Sequence, residues 1–399
     1  MNLLIKNVNI VDESHDFKGD LYIENGKIKE LSDNIIKDCK VIDGKGLVLM
    51  PAFIDTHAHF RDPGFTYKED IETGSKAAVR GGYTAVTLMG NTNPISSTKE
   101  IKDMVEDKAR EIGLVDAYQC ITITKDLDGK TLSHLEAFEG DKSLKAITDD
   151  GKGVCDSKIM HDAMLIAKRN NWIVMSHAEN HEVSKISMRL AENMMTWRDV
   201  ELAKFTGARL HMSHVSTKEA IDYIREGKES GAKVSCEVTP HHIFFNNKIN
   251  NYRVNPPIRE EEDVKSLIHG IKMNHVDCIG TDHAPHTDEE KLKGAPGLTG
   301  IELAFSVCYT KLVKEEGISL NKLSSLMSGR AGELLRVNKG KIQVGFDGDI
   351  VLLDLNKEFI VDRKKLVSKS KNTPFDGVKL YGDVVLTVKE GKIVYKGEF

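Results

Sequence analysis

LVLMPAFIDTHAHFRDPG, residues 47–64, is an apolar run that passes abruptly into closely spaced polar residues. His57 and His59 lie two positions apart at the end of this run, and Arg61 follows two positions later. Since alternate residues of a strand point to the same face, we expect these three side chains to project together. The stretch therefore predicts a strand that ends either at a half-exposed surface or at the mouth of a site.

The same pattern returns along the middle of the chain, where strand-like apolar runs alternate with helical patterns. The predicted strands cover residues 51–59, 83–92, 115–124, 143–150, 172–179, 209–216, 233–242 and 277–286. Helical patterns cover 97–113, 157–170, 216–231 and 261–273, and two of them begin with STKE, which is typical of a capping box. Eight strand–helix units in about 290 residues favour a (β/α)8 TIM barrel over residues 51–340. A doubly wound open sheet is the alternative, but it gives no reason for eight units.

Both ends of the chain show a different pattern, made of short alternating runs and tight turns. Residues 1–50 contain Asn-Gly and Asp-Gly turns between such runs, and residues 341–399 repeat this pattern. No linker rich in Pro, Gly or Ser separates the ends from the middle. We therefore expect residues 1–50 and 341–399 to form one small composite β-sandwich domain beside the barrel.

Composition limits the class of protein. The 399 residues carry a formal net charge of −5, with 40% hydrophobic and 29% charged residues, which argues against a nucleic-acid binder. Six cysteines without a CxxC pair are typical of free thiols in a reducing compartment. The N-terminus has no signal-peptide pattern, and no apolar run reaches membrane-spanning length. We expect a cytoplasmic protein with neither nucleic acid nor membrane as partner.

Polar residues collect where the predicted strands end. These residues are His57, His59, Arg61, Asn91, Asp149, Asp150, His177, His214, Asp282 and His286. Enzyme sites on TIM barrels form at the C-terminal ends of the strands. Imidazole and carboxylate groups without cysteine favour a catalytic Zn²⁺ site that keeps an open position. Four histidines and two aspartates exceed the needs of one tetrahedral ion, so we expect two ions about 3.5–4 Å apart and a hydrolytic reaction.

The arrangement of these residues resembles the amidohydrolase superfamily, with HxH on strand one, His on strands five and six, and Asp on strand eight. Within it, the chain is similar to the dihydroorotase family of the longer bacterial type, which carries a β-sandwich appendage. The motifs that carry this similarity are DTHAHFRDPG (55–64), GNTNP (90–94), TPHH (239–242), NPPIR (255–259) and GTDHAPHTDEEK (280–291). The resemblance covers essentially the whole chain.

The resemblance implies a set of metal ligands. His57, His59 and Asp282 would hold the first Zn²⁺, and His177 and His214 the second. Asp150 and a hydroxide would bridge the two ions. In some relatives a modified lysine forms the bridge, but Lys145 is spaced oddly from Asp150 and should point to the opposite face. Asp149 is the second choice for the bridge, and Lys145 is the third.

The resemblance also implies the substrate contacts and the reaction. Arg61, Asn91 and His286 would bind the substrate carboxylate, with pairing of Arg61 to the neighbouring Asp62 as the structural alternative for that arginine. Asn255 and the backbone near Pro296 and Gly297 would contact the pyrimidine ring. Asp282 would accept a proton from the attacking hydroxide and return it to the ring nitrogen. The reaction would be reversible hydrolysis of (S)-dihydroorotate to N-carbamoyl-L-aspartate, a step of pyrimidine biosynthesis.

Other assignments stay open beside this one. A dihydropyrimidinase, hydantoinase or allantoinase would use the same metal centre on another cyclic amide. An inactive scaffold paralogue belongs to a different class, and it would be expected to have lost ligands. The family habit implies a homodimer that can associate with aspartate transcarbamoylase. Among the remaining histidines, His211 and His283 are assigned either to packing or to contacts that support the ligands, and His241 and His242 are interpreted as structural.

Overall fold

The computed structural model of the protein describes residues 2–397, so residues 1, 398 and 399 of the predicted end domain lie outside it. The described chain forms sixteen strands. They are β1 (Leu3–Val11), β2 (Asp16–Glu24), β3 (Lys27–Ser32), β4 (Lys40–Asp43), β5 (Val48–Pro51), β6 (Phe53–Ala58), β7 (Tyr83–Leu88), β8 (Asp116–Gln119), β9 (Ala146–Thr148), β10 (Ile173–Ser176), β11 (Arg209–Met212), β12 (Val234–Val238), β13 (Cys278–Ile279), β14 (Ile350–Ile360), β15 (Lys379–Lys389) and β16 (Lys392–Lys396).

Helices lie between the strands of the middle segment. The α-helices are α1 (Ile71–Arg80), α2 (Lys99–Ile112), α3 (Ser157–Asn170), α4 (His181–Ser184), α5 (Met188–Thr206), α6 (Lys218–Glu229), α7 (Pro240–Phe244), α8 (Glu261–Lys272), α9 (Asp288–Leu292), α10 (Ala304–Cys308), α11 (Leu320–Ser324) and α12 (Arg330–Leu335). Helix α10 continues as a π-helical segment over Tyr309–Glu315, and a second π-helical segment, Ser325–Gly329, joins α11 to α12. Three 3₁₀ turns occur at Lys125–Leu127, Ser133–Phe138 and Arg363–Lys365. Within residues 2–397 no helix combines the length and the apolar character needed to cross a membrane.

The predicted barrel is confirmed. Strands β6 to β8 and β9 to β13 form two parallel sheets in sequence order. Parallel bridges between Ala58 and His283 and between Ile121 and Ile147 join the two sheets into a closed ring. Every residue of β6 is buried, as expected for a parallel strand that has the barrel interior on one face and helices on the other.

The two chain ends form one sheet, as the sequence pattern predicts. Its hydrogen-bonded order is β16-β15-β14-β5-β1-β2-β3, with β4 paired to β1. The junction is the antiparallel pair of β5 and β14, which joins a strand of the first 51 residues to one that begins at Ile350. Side chains from both ends, including Leu3, Leu21, Leu352 and Leu386, share one hydrophobic core.

The third strand–helix unit differs from the prediction. Strand β8 is followed by two 3₁₀ turns, Lys125–Leu127 and Ser133–Phe138, where a regular barrel has an α-helix. Gly129 and Gly140 adopt positive φ angles of 74° and 81° in this stretch. Residues 125–145 are rich in polar turn residues, so they lack the apolar periodicity that would stabilise a helix against the barrel.

The helix starts are shifted by one residue from the predicted capping boxes. Thr98 and Thr217 are the N-caps of α2 and α6, where the STKE pattern predicted Ser97 and Ser216. Ser216 is instead buried, and its backbone N–H and hydroxyl both donate to Glu192. The serines are therefore used in tertiary contacts, and the following threonines begin the helices.

A buried ion-pair cluster joins the barrel to the end sheet. The Lys339 ammonium lies 2.9 Å from Asp116 at the start of β8, 2.6 Å from Asp349 just before β14, and 3.3 Å from Asp347. Its side chain is only 4% exposed, so water screens these contacts little.

We expect Lys339→Met to lower the free energy of unfolding by about 3–5 kcal/mol, because it leaves buried carboxylates without their cation. Urea denaturation followed by circular dichroism measures this change. Lys341→Met is the matched control, since Lys341 pairs with Glu13 and Glu333 at a more exposed position and should cost less than about 1 kcal/mol. Equal losses in the two variants would contradict the prediction.

Candidate active site

Six buried side chains converge at the C-terminal end of the barrel. His57 lies in β6, and His59 follows one residue after that strand ends. Asp150, His177, His214 and Asp282 lie in the segments that directly follow β9, β10, β11 and β13. Each of the six is at most 6% exposed. The fold thus brings together residues that are up to 225 positions apart in the chain.

Asp150 lies at the centre of the cluster. Its Oδ1 atom is 3.3 Å from His57 Nε2, 3.3 Å from His177 Nδ1 and 3.5 Å from His214 Nε2. Its Oδ2 atom is 3.4 Å from His59 Nε2. One carboxylate therefore faces both the HxH pair and the two histidines of the later strands, as a bridging ligand must.

Asp282 completes the group around the HxH pair. Its Oδ1 atom is 3.2 Å from His59 Nε2 and 3.7 Å from His57 Nε2. The cluster contains two groups of three residues whose potential ligand atoms all lie within 4.8 Å of one another. One group is His57, His59 and Asp282, and the other is His57, Asp150 and His214.

The polar atoms of the cluster fit divalent metal ions. His57 Nε2 and Asp150 Oδ1 are buried and have no hydrogen-bond partner within residues 2–397. His177 Nδ1 and His214 Nε2 face each other at 2.8 Å. Leaving such atoms unpaired in a protein interior is costly unless another group binds them. Imidazole nitrogens and carboxylate oxygens are the donor set that Zn²⁺ and similar ions prefer.

The other ring nitrogen of three of these histidines is held by a neighbouring side chain. His57 Nδ1 contacts Glu237 at 2.8 Å, His59 Nδ1 contacts Asn91 at 2.9 Å, and His177 Nε2 contacts Glu179 at 3.0 Å. Such contacts fix the tautomer and the orientation of a ligating imidazole.

Glu237 in β12 is a residue of the site that the sequence pattern did not indicate. Its carboxylate is fully buried and accepts hydrogen bonds from the Thr56 hydroxyl, from His57 and, at 3.1 Å, from His211. A glutamate inside an otherwise apolar run, KVSCEV, was the available signal, because an ionised carboxylate is rarely buried without partners. His211 therefore contacts Glu237, which in turn contacts His57.

We expect Glu237→Gln to weaken divalent-metal binding by about 10–100-fold, because a neutral amide holds the His57 tautomer less firmly than a carboxylate does. Competition with a chelator of known affinity measures the change. Glu192→Gln is the matched control, since Glu192 is also a buried carboxylate but hydrogen-bonds Ser216 and Arg259. Unchanged metal affinity in Glu237→Gln would refute the role.

Three residues of the site have strained backbone conformations. Arg61, His214 and Asp282 adopt φ angles of 60°, 35° and 47°, a region that residues other than glycine rarely occupy. Strand β6 ends at Ala58, so the expectation that Arg61 continues its alternation was wrong. Arg61 reaches the same side as the two histidines through a turn.

A cavity of about 200 Å³ opens onto the cluster. Eleven of the twelve residues predicted from the sequence line it, namely His59, Arg61, Asn91, Asp150, His177, His214, Asn255, Asp282, His286, Pro296 and Gly297. The twelfth, His57, is fully buried behind them. The cavity is therefore lined both by the metal-type cluster and by the guanidinium group of Arg61.

Arg61 has no carboxylate partner among residues 2–397. The alternative pairing with Asp62 is not formed, because Asp62 binds the Lys108 ammonium at 2.5 Å. Arg61 donates through Nε to the Pro285 carbonyl at 3.3 Å, and its Nη2 lies 3.3 Å from His286 Nε2. Its remaining N–H groups are available to a ligand in the cavity.

His286 is held as a neutral acceptor. Burial and the neighbouring charges of Arg61 and Lys68 lower the pKa of His286 to about 4. Its Nδ1 lies 3.2 Å from a Glu290 carboxylate oxygen, which can accept a hydrogen bond from an N–H at that position. In this tautomer Nε2 accepts from Arg61, so His286 orients the guanidinium.

The other predicted contact residues already have protein partners. Asn91 accepts from His59 and donates to Asp150 at 3.3 Å, and Asn255 donates to Glu179 at 2.9 Å. The Gly297 N–H donates to the Arg253 carbonyl, and the Gly297 carbonyl accepts from Lys291. A ligand in the cavity would meet these groups in preset orientations.

The alternatives for the bridging position lie outside the cluster. Asp149 accepts from the Thr124 hydroxyl and backbone N–H, at 2.5 and 3.0 Å. Lys145 precedes β9 at the opposite end of the barrel.

Three further histidines near the site contact other parts of the protein or remain unpartnered. His283 packs against Glu69 at 3.5 Å, and His242 contacts Thr239 and the Pro256 carbonyl. The ring nitrogens of buried His241 have no partner within residues 2–397.

The carboxylates of the cluster are held in their ionised form. Burial would raise the pKa of Asp150, but the charge of His57 and the close contacts with His177 and His214 hold it well below its usual value. Burial likewise opposes ionisation of Asp282, and the contacts with His59 and His57 lower its pKa. Both groups therefore carry the negative charge that a cationic ligand needs.

The barrel and its cluster of histidines and aspartates define a class of hydrolase, and comparisons with known proteins agree. The amidohydrolase family matches residues 48–394. The dihydroorotase of Clostridium botulinum (strain Eklund 17B / Type B) is 59% identical over 397 residues, which cover 99% of this chain and 100% of that protein. The dihydroorotase of Aquifex aeolicus (strain VF5) is 38% identical over 422 aligned residues, with 99% and 100% coverage. The chain belongs to the amidohydrolase family and, within it, to the dihydroorotases.

Solved structures support the same fold. A dihydropyrimidinase from Brevibacillus agri NCHU1002 superposes with a TM-score of 0.90 at 24% identity, covering 99% of this chain and 95% of that one. A D-hydantoinase from Thermus sp. gives a TM-score of 0.88 at 26% identity, with the same coverage of 99% and 95%. These likenesses show that barrel and end sheet occur together in other cyclic-amide hydrolases.

Proposed function

We propose that this cyclic amidohydrolase interconverts (S)-dihydroorotate and N-carbamoyl-L-aspartate in pyrimidine biosynthesis at the cavity described above. The observation that carries the proposal is the unpaired Arg61 guanidinium, which shares one cavity with the metal-type cluster. A ring carboxylate distinguishes dihydroorotate from dihydropyrimidines and hydantoins, and a free guanidinium is its natural partner. The 59% identity to a dihydroorotase supports this choice of substrate over the alternatives.

We propose that the cluster holds two Zn²⁺ ions. His57, His59 and Asp282 would hold one ion, His177 and His214 the other, and Asp150 would contact both. Bound ions of this kind supply hydroxide at neutral pH and polarise a carbonyl oxygen. The central position of Asp150 and the unpartnered atoms of His57 and Asp150 support this assignment.

The chain's own side chains would orient the substrate and move one proton. Arg61 would bind the ring carboxylate, with His286 fixing the guanidinium and Asn91 beside it. Asn255 and the backbone of Pro296 and Gly297 would border the ring. In the hydrolytic direction the amide carbonyl carbon gains an oxygen and its bond to the ring nitrogen breaks. The ionised Asp282 would accept the proton of the attacking oxygen and return it to that nitrogen.

The domain division and the assembly belong to the same proposal. We assign residues 51–340 to the catalytic barrel, and residues 1–50 and 341–399 to a composite β-sandwich. The pairing of β5 with β14 supports the second assignment. A cytoplasmic homodimer that associates with aspartate transcarbamoylase agrees with the family resemblance, and the six cysteines are all free.

Turnover by purified, metal-loaded protein tests the proposal. We expect dihydroorotate to be hydrolysed, and a chelator to abolish activity that added Zn²⁺ restores. Dihydrouracil, hydantoin and allantoin serve as matched substrates without the carboxylate at that ring position. Faster turnover of one of these three would favour the other cyclic-amide hydrolases, and no turnover of any would favour an inactive scaffold. Elemental analysis of the same sample gives the metal and its number per chain.

A further inference from the structure

A second concave surface lies at the opposite end of the barrel from the active site. Two cavities of about 390 and 410 Å³ adjoin there and share Asn171, Arg209 and Arg336. They lie where β9, β10, β11 and β12 begin, whereas Asp150, His177 and His214 follow the other ends of the first three of these strands. We call the surface formed by both cavities the basal cleft.

The basal cleft is strongly basic in a chain whose net charge is −5. Its cations are Lys142, Lys145, Lys168, Arg169, Arg209, Lys233 and Arg336. Among the described residues, one acid, Asp141, lines the cleft. Its carboxylate already accepts a hydrogen bond from the Ser143 hydroxyl and lies 3.8 Å from the buried Lys102 ammonium. Arg169 pairs loosely with Glu139 at 3.7 Å. Within residues 2–397, Lys142, Lys145, Arg209, Lys233 and Arg336 form no ion pair.

The arginines at the centre of the cleft repel each other. Arg209 is half-buried, and burial together with the charge of Arg336 lowers its pKa to about 10. One end of its guanidinium is anchored to the Leu334 carbonyl, which leaves its other N–H groups for a ligand. Arg336 is exposed, and its side chain has no hydrogen-bond partner in the described structure. An anion between the two would remove this repulsion.

The cleft also has an apolar floor. Trp172, Leu210, Val234 and Leu334 line the first cavity. Trp172 is only 1% exposed, and its indole N–H has no hydrogen-bond partner in the part of the chain that the structure describes. A ligand with both an anionic group and an uncharged body would therefore meet complementary surface in the cleft.

We propose that the basal cleft binds a small organic molecule that carries phosphate groups. Phosphate oxygens match the forked donors of arginine and the ammonium groups of lysine better than a single carboxylate does. Two adjoining cavities, with the shared arginines between them, fit a ligand with two phosphates or with one phosphate and a ring. This site is separate from the active site, whose anion-binding residue is Arg61.

Isothermal titration with fructose 1,6-bisphosphate as probe tests the proposal, because a sugar bisphosphate is a weak chelator of the active-site metal. We expect saturable binding, weaker binding of inorganic phosphate and none of fructose. The chain has two tryptophans, so the fluorescence of Trp172 in the cleft should change on binding. Titration of Arg61→Met should give unchanged affinity, whereas loss of binding there would place the probe in the active site and overturn the proposal.

The double variant Arg336→Met/Lys233→Met identifies the cleft directly. Both residues are exposed and have no partner in the described chain, so the melting temperature should not change. We expect the dissociation constant of the bisphosphate to rise about tenfold or more, since charge-assisted hydrogen bonds are lost. Lys29→Met/Lys45→Met, which removes two exposed lysines of the end sheet, is the matched control and should bind normally. An equal loss in both double variants, or no saturable binding by the wild-type protein, would refute the site.

Discussion

Replacing Asp282 with asparagine is expected to lower kcat for dihydroorotate by about 10²–10⁴-fold, the contribution of a general base. The change keeps the size of the side chain but removes the carboxylate that faces His59 at 3.2 Å. Asparagine cannot accept and return a proton at neutral pH. Because Asp282 is buried beside two histidines and no apolar core contact is lost, the fold should survive.

Metal content must be measured on the same Asp282→Asn sample, because the aspartate is also a proposed ligand. A variant that retains its full metal content and loses turnover assigns the proton transfer to Asp282. His283→Gln is a suitable comparison, since His283 adjoins Asp282 in the chain but packs against Glu69. A fully metal-loaded Asp282→Asn enzyme with near-normal kcat would show that another group carries the proton.

The barrel could be predicted from the sequence because parallel strands are buried on both faces. Runs such as PAFIDTHAH and WIVMSHAE begin with apolar residues and end in polar ones, so both the strand and its functional end are visible. The pairing of the two chain ends could be predicted because both contain short alternating runs separated by tight turns. The two 3₁₀ turns after β8 could not be predicted, because missing apolar periodicity argues against a helix there but does not specify which turns form.

The metal-type residues of the candidate site could be predicted because their residue types alone indicate their chemistry. Histidines and aspartates at strand ends mark a metal centre wherever the chain folds into a barrel. Supporting residues were harder to find. Glu237 contacts His57, which is 180 positions away, and no local pattern records that distance. Glu179 lies in SHAE, two residues after His177, but only the structure shows that it holds both His177 and Asn255.

Local backbone geometry also escaped prediction. A strand would carry Arg61 to the same face as His57 and His59 by alternation, yet β6 ends at Ala58 and Arg61 adopts a φ of 60°. Arg61 still lines the expected cavity, but strand alternation is not the cause. Tertiary contacts with the Pro285 carbonyl and His286, both from the segment after β13, hold its side chain there.

Arg61→Met is expected to reduce kcat/KM for dihydroorotate by orders of magnitude. A charged ring carboxylate would enter a buried cavity without its cation, and removing one member of such a pair carries a large cost. Methionine keeps much of the length and apolar bulk of the arginine stem, so packing should change little. Steady-state kinetics with dihydroorotate measures the loss, and elemental analysis should find unchanged metal content.

Substrate choice gives the sharper test of Arg61. The wild-type enzyme should hydrolyse dihydrouracil poorly, because the unpaired donors of Arg61 would remain without a partner when the ring lacks a carboxylate. In Arg61→Met that penalty disappears, so the ratio of kcat/KM for dihydroorotate over dihydrouracil should fall mainly through the loss with dihydroorotate. Lys108→Met is the matched control, since it removes a nearby cation that pairs with Asp62. Efficient hydrolysis of dihydrouracil by the wild type, or an unchanged ratio in Arg61→Met, would exclude Arg61 as the carboxylate partner.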